Sequence, residues 1–148
     1  MSTPDGISSE DWSRVHEMGV EIINAPDVES ESRCRRRLFE YLNFLEAKYG
    51  ALPSILATRA DFKTDPNEKE ELLRRAYALA ESSGDARNAL YVAHSLAGLY
   101  IEDLNSIPEG IRWLECMSRY LVRVDDSGFA KEYRRLRDLV DGSGSETV

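Results

Sequence analysis

Only two of the 148 residues are cysteines and only two are histidines. Cys34 and Cys116 lie far apart, so they make neither a disulfide framework nor a zinc knuckle. They read as two reduced, mostly buried thiols of a cytoplasmic protein. Long apolar runs are missing too. The longest, Ala89 to Ile101, is broken by His94, Ser95 and Gly98 and falls short of the ~20 residues a bilayer requires. The start, MSTPDGISSEDW, lacks a basic segment followed by an apolar one, so no export signal is expected. HExxH, GxSxG, GxGxxG and GxxxxGK[ST] are all absent, which leaves metalloprotease, hydrolase, dinucleotide and P-loop chemistry without support. His16 has no metal-ligand neighbour at helical spacing, and His94 beside an apolar stripe reads as a hydrogen-bonded core histidine. The expectation is a protein without catalytic residues, metal or cofactor.

Positive charge is scarce where negative charge is dense. Residues 1–31 hold eight acids against the single base Arg14, a net −7, whereas the rest of the chain carries −1 of the total −8. Nucleic acid needs clustered Lys and Arg and is an unlikely partner for such a surface. The one basic run, Arg35-Arg36-Arg37, fits a solvated face with Arg36 paired to Glu40, or else a phosphate or acidic-tail site.

The sequence is rich in helical periodicity. Seven segments follow one another with short, punctuated connections, and none shows the period-2 alternation of a strand. The first opens near Ser8 or Ser9, with Ser8 and Asp11 at capping-box spacing, and runs to about Ala25. Trp12, Val15, Gly19 and Ile22 form its apolar stripe, and Glu10, Glu17 and Glu21 lie opposite. The second spans about Ser30 to Tyr49 on Cys34, Leu38, Tyr41, Leu42 and Leu45. A short third starts at Pro53. The fourth opens on Asp65-Pro66 and continues to Gly84. Asp85 caps the fifth, whose stripe is Ala89, Ala93, Leu96, Ala97 and Tyr100. Ser106 with Glu109 caps the sixth, and the seventh runs from Ser127 to about Val140. Residues 141–148 read as a flexible polar tail, so one domain covers 1–148 with its order between about 8 and 140.

Pro66 and Pro108 stand 42 residues apart, as do Asp85 and Ser127. A fixed offset between helix pairs is the mark of stacked repeats. The sixth helix is apolar over a wide arc, with Ile111, Leu114 and Met117 flanked by Trp113, Cys116 and Tyr120, so it sits between neighbours. Gly19 within a helix means either a close approach by a neighbour or a weakly formed helix.

Leu72 to Leu121 resembles the tetratricopeptide-repeat group. A helix ends there in Gly84-Asp85 and the next begins at once, Leu96-Ala97 and Tyr100 resemble the Leu-Gly and Tyr of that motif, and Gly110 resembles the small residue opening its second helix. The 42-residue spacing is longer than the usual repeat, and the terminal proline is lacking. The resemblance implies an all-α stack of antiparallel helix pairs that binds proteins or peptides without catalysis. The build is also similar to some bacterial immunity proteins that neutralise toxins. A toxin that cuts nucleic acid is basic, so an acidic blocker suits it. Two contact surfaces follow as expectations: the acidic face of Glu10, Glu17 and Glu21, or a groove lined by Trp113 and Tyr120, whose other reading is simple core.

Overall fold

The computed structural model describes residues 2–145, with side chains for residues 2–142. Among them are seven α-helices and no strand: α1 (Ser9–Ile23), α2 (Val28–Tyr49), α3 (Pro53–Asp61), α4 (Pro66–Ser83), α5 (Ala86–Gly98), α6 (Ile107–Leu121) and α7 (Ser127–Ser145). A π-helical segment, Leu99–Asp103, prolongs α5. No helix of the described residues is long and apolar enough to cross a membrane.

Capping chemistry sets most boundaries. Ser8 Oγ accepts from the Asp11 amide at 3.2 Å and opens α1. Asp85 accepts from the Asn88 amide at 3.1 Å and opens α5. Gly84 adopts φ 72°, which costs glycine little, and lets the Asp85 amide reach the Ala80 carbonyl at 2.9 Å.

Two boundaries and two caps differ from expectation. Helix α2 starts at Val28, because Asp27 rather than Ser30 is its cap and accepts from the Ser30 amide at 2.7 Å. Helix α1 ends at Ile23, short of Ala25. Ser106 occupies the cap position of α6 but its side chain makes no capping bond. Asp126, not Ser127, caps α7, accepting from the Phe129 amide at 3.0 Å. The polar tail is helical as far as Ser145, since a helix already anchored by Leu136 and Val140 adds further turns at little cost. Its last residues, 146–148, lie outside the described residues.

The offset survives these corrections at a slightly shorter value. Helices α4 and α6 start at Pro66 and Ile107, and α5 and α7 at Ala86 and Ser127, so both pairs are displaced by 41 residues. Packing follows the same order: α1 lies on α2, α3 on α4, α4 on α5, α5 on α6, and α7 closes the far end on α5 and α6. Short connections make successive helices antiparallel.

Three apolar clusters run along the stack. The first gathers Ile7, Val15, Met18, Ile22, Leu38, Leu42, Leu45 and Ile55. The second joins α3, α4 and α5 through Leu56, Ala60, Leu73, Ala76, Val92 and Leu96. The third joins α5, α6 and α7 through Leu90, Ala93, Ala97, Leu114, Met117 and Leu136. Helices α3 and α5 each feed two clusters, so burial on both sides locks them between neighbours. The small residues of α5 allow close approach.

Gly19 marks such an approach as well. A Cβ there would stand 3.1 Å from the Phe62 ring, so Phe62 packs directly on the α1 backbone.

Candidate docking groove

Helix α3 lies at the floor of an open groove of about 1020 Å³, with α1 along one side and α5 along the other. Its N-terminal end is built by residues that precede α1. Thr3 Oγ1 donates to Asp5 at 2.6 Å and accepts from the Ile7 amide at 2.9 Å, which folds this segment back on itself. Asp5 in turn accepts from the Ser54 amide at 2.7 Å and its hydroxyl at 2.8 Å. Helix α3 has no side-chain cap of its own at Leu52. Asp5 therefore places a carboxylate on an uncapped helix N-terminus from nearly fifty residues away. Asn88 ties α5 to the same network, donating to Ser54 Oγ at 3.3 Å and to Asp85 at 2.6 Å.

The α1 wall is a second apolar flank beside the core stripe. Val15, Met18, Gly19 and Ile22 are buried, and Trp12, His16, Val20 and Ile23, also at three- and four-residue spacing, line the groove; Val15 and Gly19 reach its lining too, and Trp12 packs partly on the core. Two of these are well exposed, Val20 at 41% and Ile23 at 77%. The opposite wall is Arg87 and Tyr91, and the floor carries Ala57, Thr58, Asp61 and Phe62.

Asp61 ends the groove. Its carboxylate accepts from Tyr91 Oη at 2.6 Å, and the Tyr91 ring stands edge-on to Phe129. Loss of solvation among these side chains raises the Asp61 carboxyl above its ordinary range, with the Tyr91 hydrogen bond and the Lys69 and His94 charges pulling partly the other way. Loss of solvation also raises the Tyr91 hydroxyl, and the Asp61 charge adds to it.

Past Asp61 lies a smaller polar cleft of about 280 Å³. Here His94 Nε2 meets Glu132 Oε1 at 3.0 Å, and Arg135 bridges Glu132 at 2.9 Å and Glu102 at 3.1 Å. Hydrogen bonds from Arg135 first and His94 second bring the Glu132 carboxyl down to about 2. His94 is thus half-buried and hydrogen-bonded, and its ring also packs on Phe129 at 5.4 Å. Among the described residues, no three of His, Cys, Asp and Glu converge as metal ligands.

Glu10, Glu17 and Glu21 are all exposed on α1. Glu21 shares its charge with Arg37 at 3.6 Å, and Arg14 lies over the Tyr41 ring. The acidic face and the groove are therefore two sides of one helix. Trp113 and Tyr120 are elsewhere: they pack against Tyr77 of α4, with ring centroids at 4.9 and 6.3 Å, and Arg74 covers Trp113. Tyr77 also hydrogen-bonds the buried Cys116 Sγ at 2.8 Å. The groove's aromatic residues are Trp12, Phe62 and Tyr91.

The arginine run is partly structural. Arg35 binds Glu31 at 2.7 Å and donates to the Phe62 carbonyl, a favourable place for a cation at the end of α3. Among the described residues no ion pair joins Arg36 to Glu40. No protein-family model, curated protein or solved structure matches the chain.

Proposed function

We propose that this chain is a non-catalytic protein-binding module, and more narrowly an immunity protein that neutralises a basic bacterial toxin domain. The observation that carries the reading is the unpartnered flank of α1. Ile23 at 77% and Val20 at 41% exposure, bordering a groove of about 1020 Å³, are apolar surface of the kind that partners cover. Glu10 and Glu17 on the same helix supply the long-range attraction that brings a basic domain to it. An adaptor of tetratricopeptide-like build that binds peptides is the second reading, favoured by the open, elongated form of the groove.

Coexpression with a toxic basic domain encoded in an adjacent reading frame should restore growth through a one-to-one complex. Charge reversal of Glu10, Glu17 and Glu21 to Lys should slow association with that domain several-fold at low salt. It should change little above ~0.5 M, where screening shortens to a few ångströms. The fold should be unaffected, because exposed ion pairs contribute little to stability. An unchanged rate and salt dependence in the triple variant would reduce the acidic face to a solubilising surface.

A further inference from the structure

We propose that the groove seats an amphipathic helix of the partner, apolar on the face it presents and carrying a lysine or arginine opposite Asp61. This rests on the protein-binding reading above and names what would occupy its site.

Length comes first. The twelve residues from Trp12 to Ile23 of α1 cover about 16 Å at 1.5 Å of rise per step, so the wall offers three helical turns. Its exposed side chains recur at three- and four-residue spacing, the repeat with which a second helix interdigitates. Width agrees. Helices α1 and α5 do not pack on one another, and the space above α3 between them is open along its length. A concavity this open covers one face of a helix better than it encloses a small molecule.

Charge selects the sign of the occupant. Asp61 is the groove's acid, and its hydrogen bond comes from the neutral Tyr91 hydroxyl. Lys69 approaches it from the polar cleft on the other side. Phe62, next to Asp61, and Tyr91, bonded to it, give the stem of a cationic side chain aromatic surface to lie on. At the far end Arg87 shares its surroundings with Asp5 and Asp85, so that end is not basic either, and His16 is the remaining titratable group in the lining. Glu17 and Glu21 border the α1 wall from outside. A carboxylate placed opposite Asp61 would meet like charge at this end of the groove.

The test uses the full chain and three labelled stapled helices of about 14 residues. One has leucines on one face and lysines on its flanks, the second replaces lysine by glutamate, and the third keeps lysine but replaces leucine by glutamine. Fluorescence anisotropy should show micromolar binding of the leucine–lysine helix alone. Ile23→Asp should weaken it about tenfold or more, with the fold intact because Ile23 is exposed in the free chain. Asp61→Asn should weaken it several-fold without lowering Tm, since an amide keeps an acceptor for the Tyr91 hydroxyl. Equal binding of the glutamine–lysine helix, or indifference to Ile23→Asp, would overturn the proposal and leave only surface charge. If instead a toxin domain binds and Ile23→Asp blocks it while no helix probe binds, the helical occupant is wrong and the module stands. If toxin binding ignores Ile23→Asp too, the groove is not the docking site.

Discussion

Gly110→Ala is expected to destabilise the protein by about 1–3 kcal/mol and to lower Tm by roughly 3–10 °C. Alanine ordinarily helps a helix interior by up to ~1 kcal/mol relative to glycine. Here the added Cβ would fall within the space of Ile101 Cγ1, close to the root of that side chain rather than its mobile end. Ile101 cannot easily yield, because it is buried in the third apolar cluster and carried by the π-helical segment. That segment is itself pinned: the Leu104 amide bonds the Leu99 carbonyl at 2.9 Å and the Ser106 amide bonds the Tyr100 carbonyl at 2.8 Å.

Ile101→Ala alone should cost about 2–5 kcal/mol through the cavity it leaves. In the double variant the new methyl group occupies part of that cavity, so the two costs should fall short of their sum by at least about 1 kcal/mol. Thermal and urea unfolding of the four proteins measures this coupling. Additive costs would mean that the α6 backbone shifts to make room, and that Gly110 does not set the spacing of α5 and α6.

Gly110 shows how the fold could be read from the sequence. It was singled out as resembling the small residue that opens a repeat's second helix, and Ile101 packs directly on it. The same local signals placed most other boundaries: Asp65-Pro66 at one helix start, Gly84-Asp85 at a left-handed turn, the small-residue stripe of α5 at a buried surface. Each rests on neighbours a few residues apart, which the chain spells out. The missed start, Val28 against about Ser30, and the missed cap, Asp126 against Ser127, both turned on an acid just ahead of the helix that accepts from a backbone amide.

The groove was far less legible. Trp12, Asp61 and Tyr91 come from three helices, and only the stacking angles bring them to one surface. Half of its α1 wall did leave a trace. Trp12, His16, Val20 and Ile23 have helical spacing, yet the neighbouring core stripe shares that period, and Trp12, read as part of that stripe, packs against the core as well as lining the groove. The aromatic pair chosen from sequence, Trp113 and Tyr120, has the composition of a binding surface but is spent on Tyr77. Asp5 on the N-terminus of α3 had no local signal at all, since its partner is far along the chain.

Two carboxylates that acid should disarm tie the outer helices α1 and α7 to their neighbours. Asp11 fixes α1 to α2: Lys48 Nζ lies 2.8 Å from it, Tyr49 Oη donates at 2.6 Å and Tyr41 Oη at 3.2 Å. The Lys48 hydrogen bond, followed by that of Tyr49, holds the Asp11 carboxyl at about 2, down from an ordinary 3.8. Glu132 fixes α7 to α5 through His94, and it sits at about 2 against an ordinary 4.5. Asp27, which caps α2, is lowered as well, chiefly by the Ser30 amide. A carboxyl that binds its proton less readily in the folded chain stabilises the fold above its unfolded value, and that contribution disappears as pH falls through the folded one. Asp61 has the opposite sign, because its raised carboxyl favours the fold in acid, but it stands alone against three.

Tm should therefore be level near neutrality and fall steadily between pH about 5 and about 2. The Asp11→Asn, Glu132→Gln protein should start lower at pH 7 and show a shallower slope. Hydrogen exchange at pH near 3 should find α1 and α7 opening before α4 and α5, since the two carboxylates hold the outer helices to an apolar centre that does not titrate. Because α1 is one wall of the groove, partner binding should weaken over the same range before the chain unfolds as a whole. A Tm that stays constant down to pH 3, or a double variant that keeps the full slope, would show that Asp11 and Glu132 are held no more tightly in the folded chain than in the unfolded one.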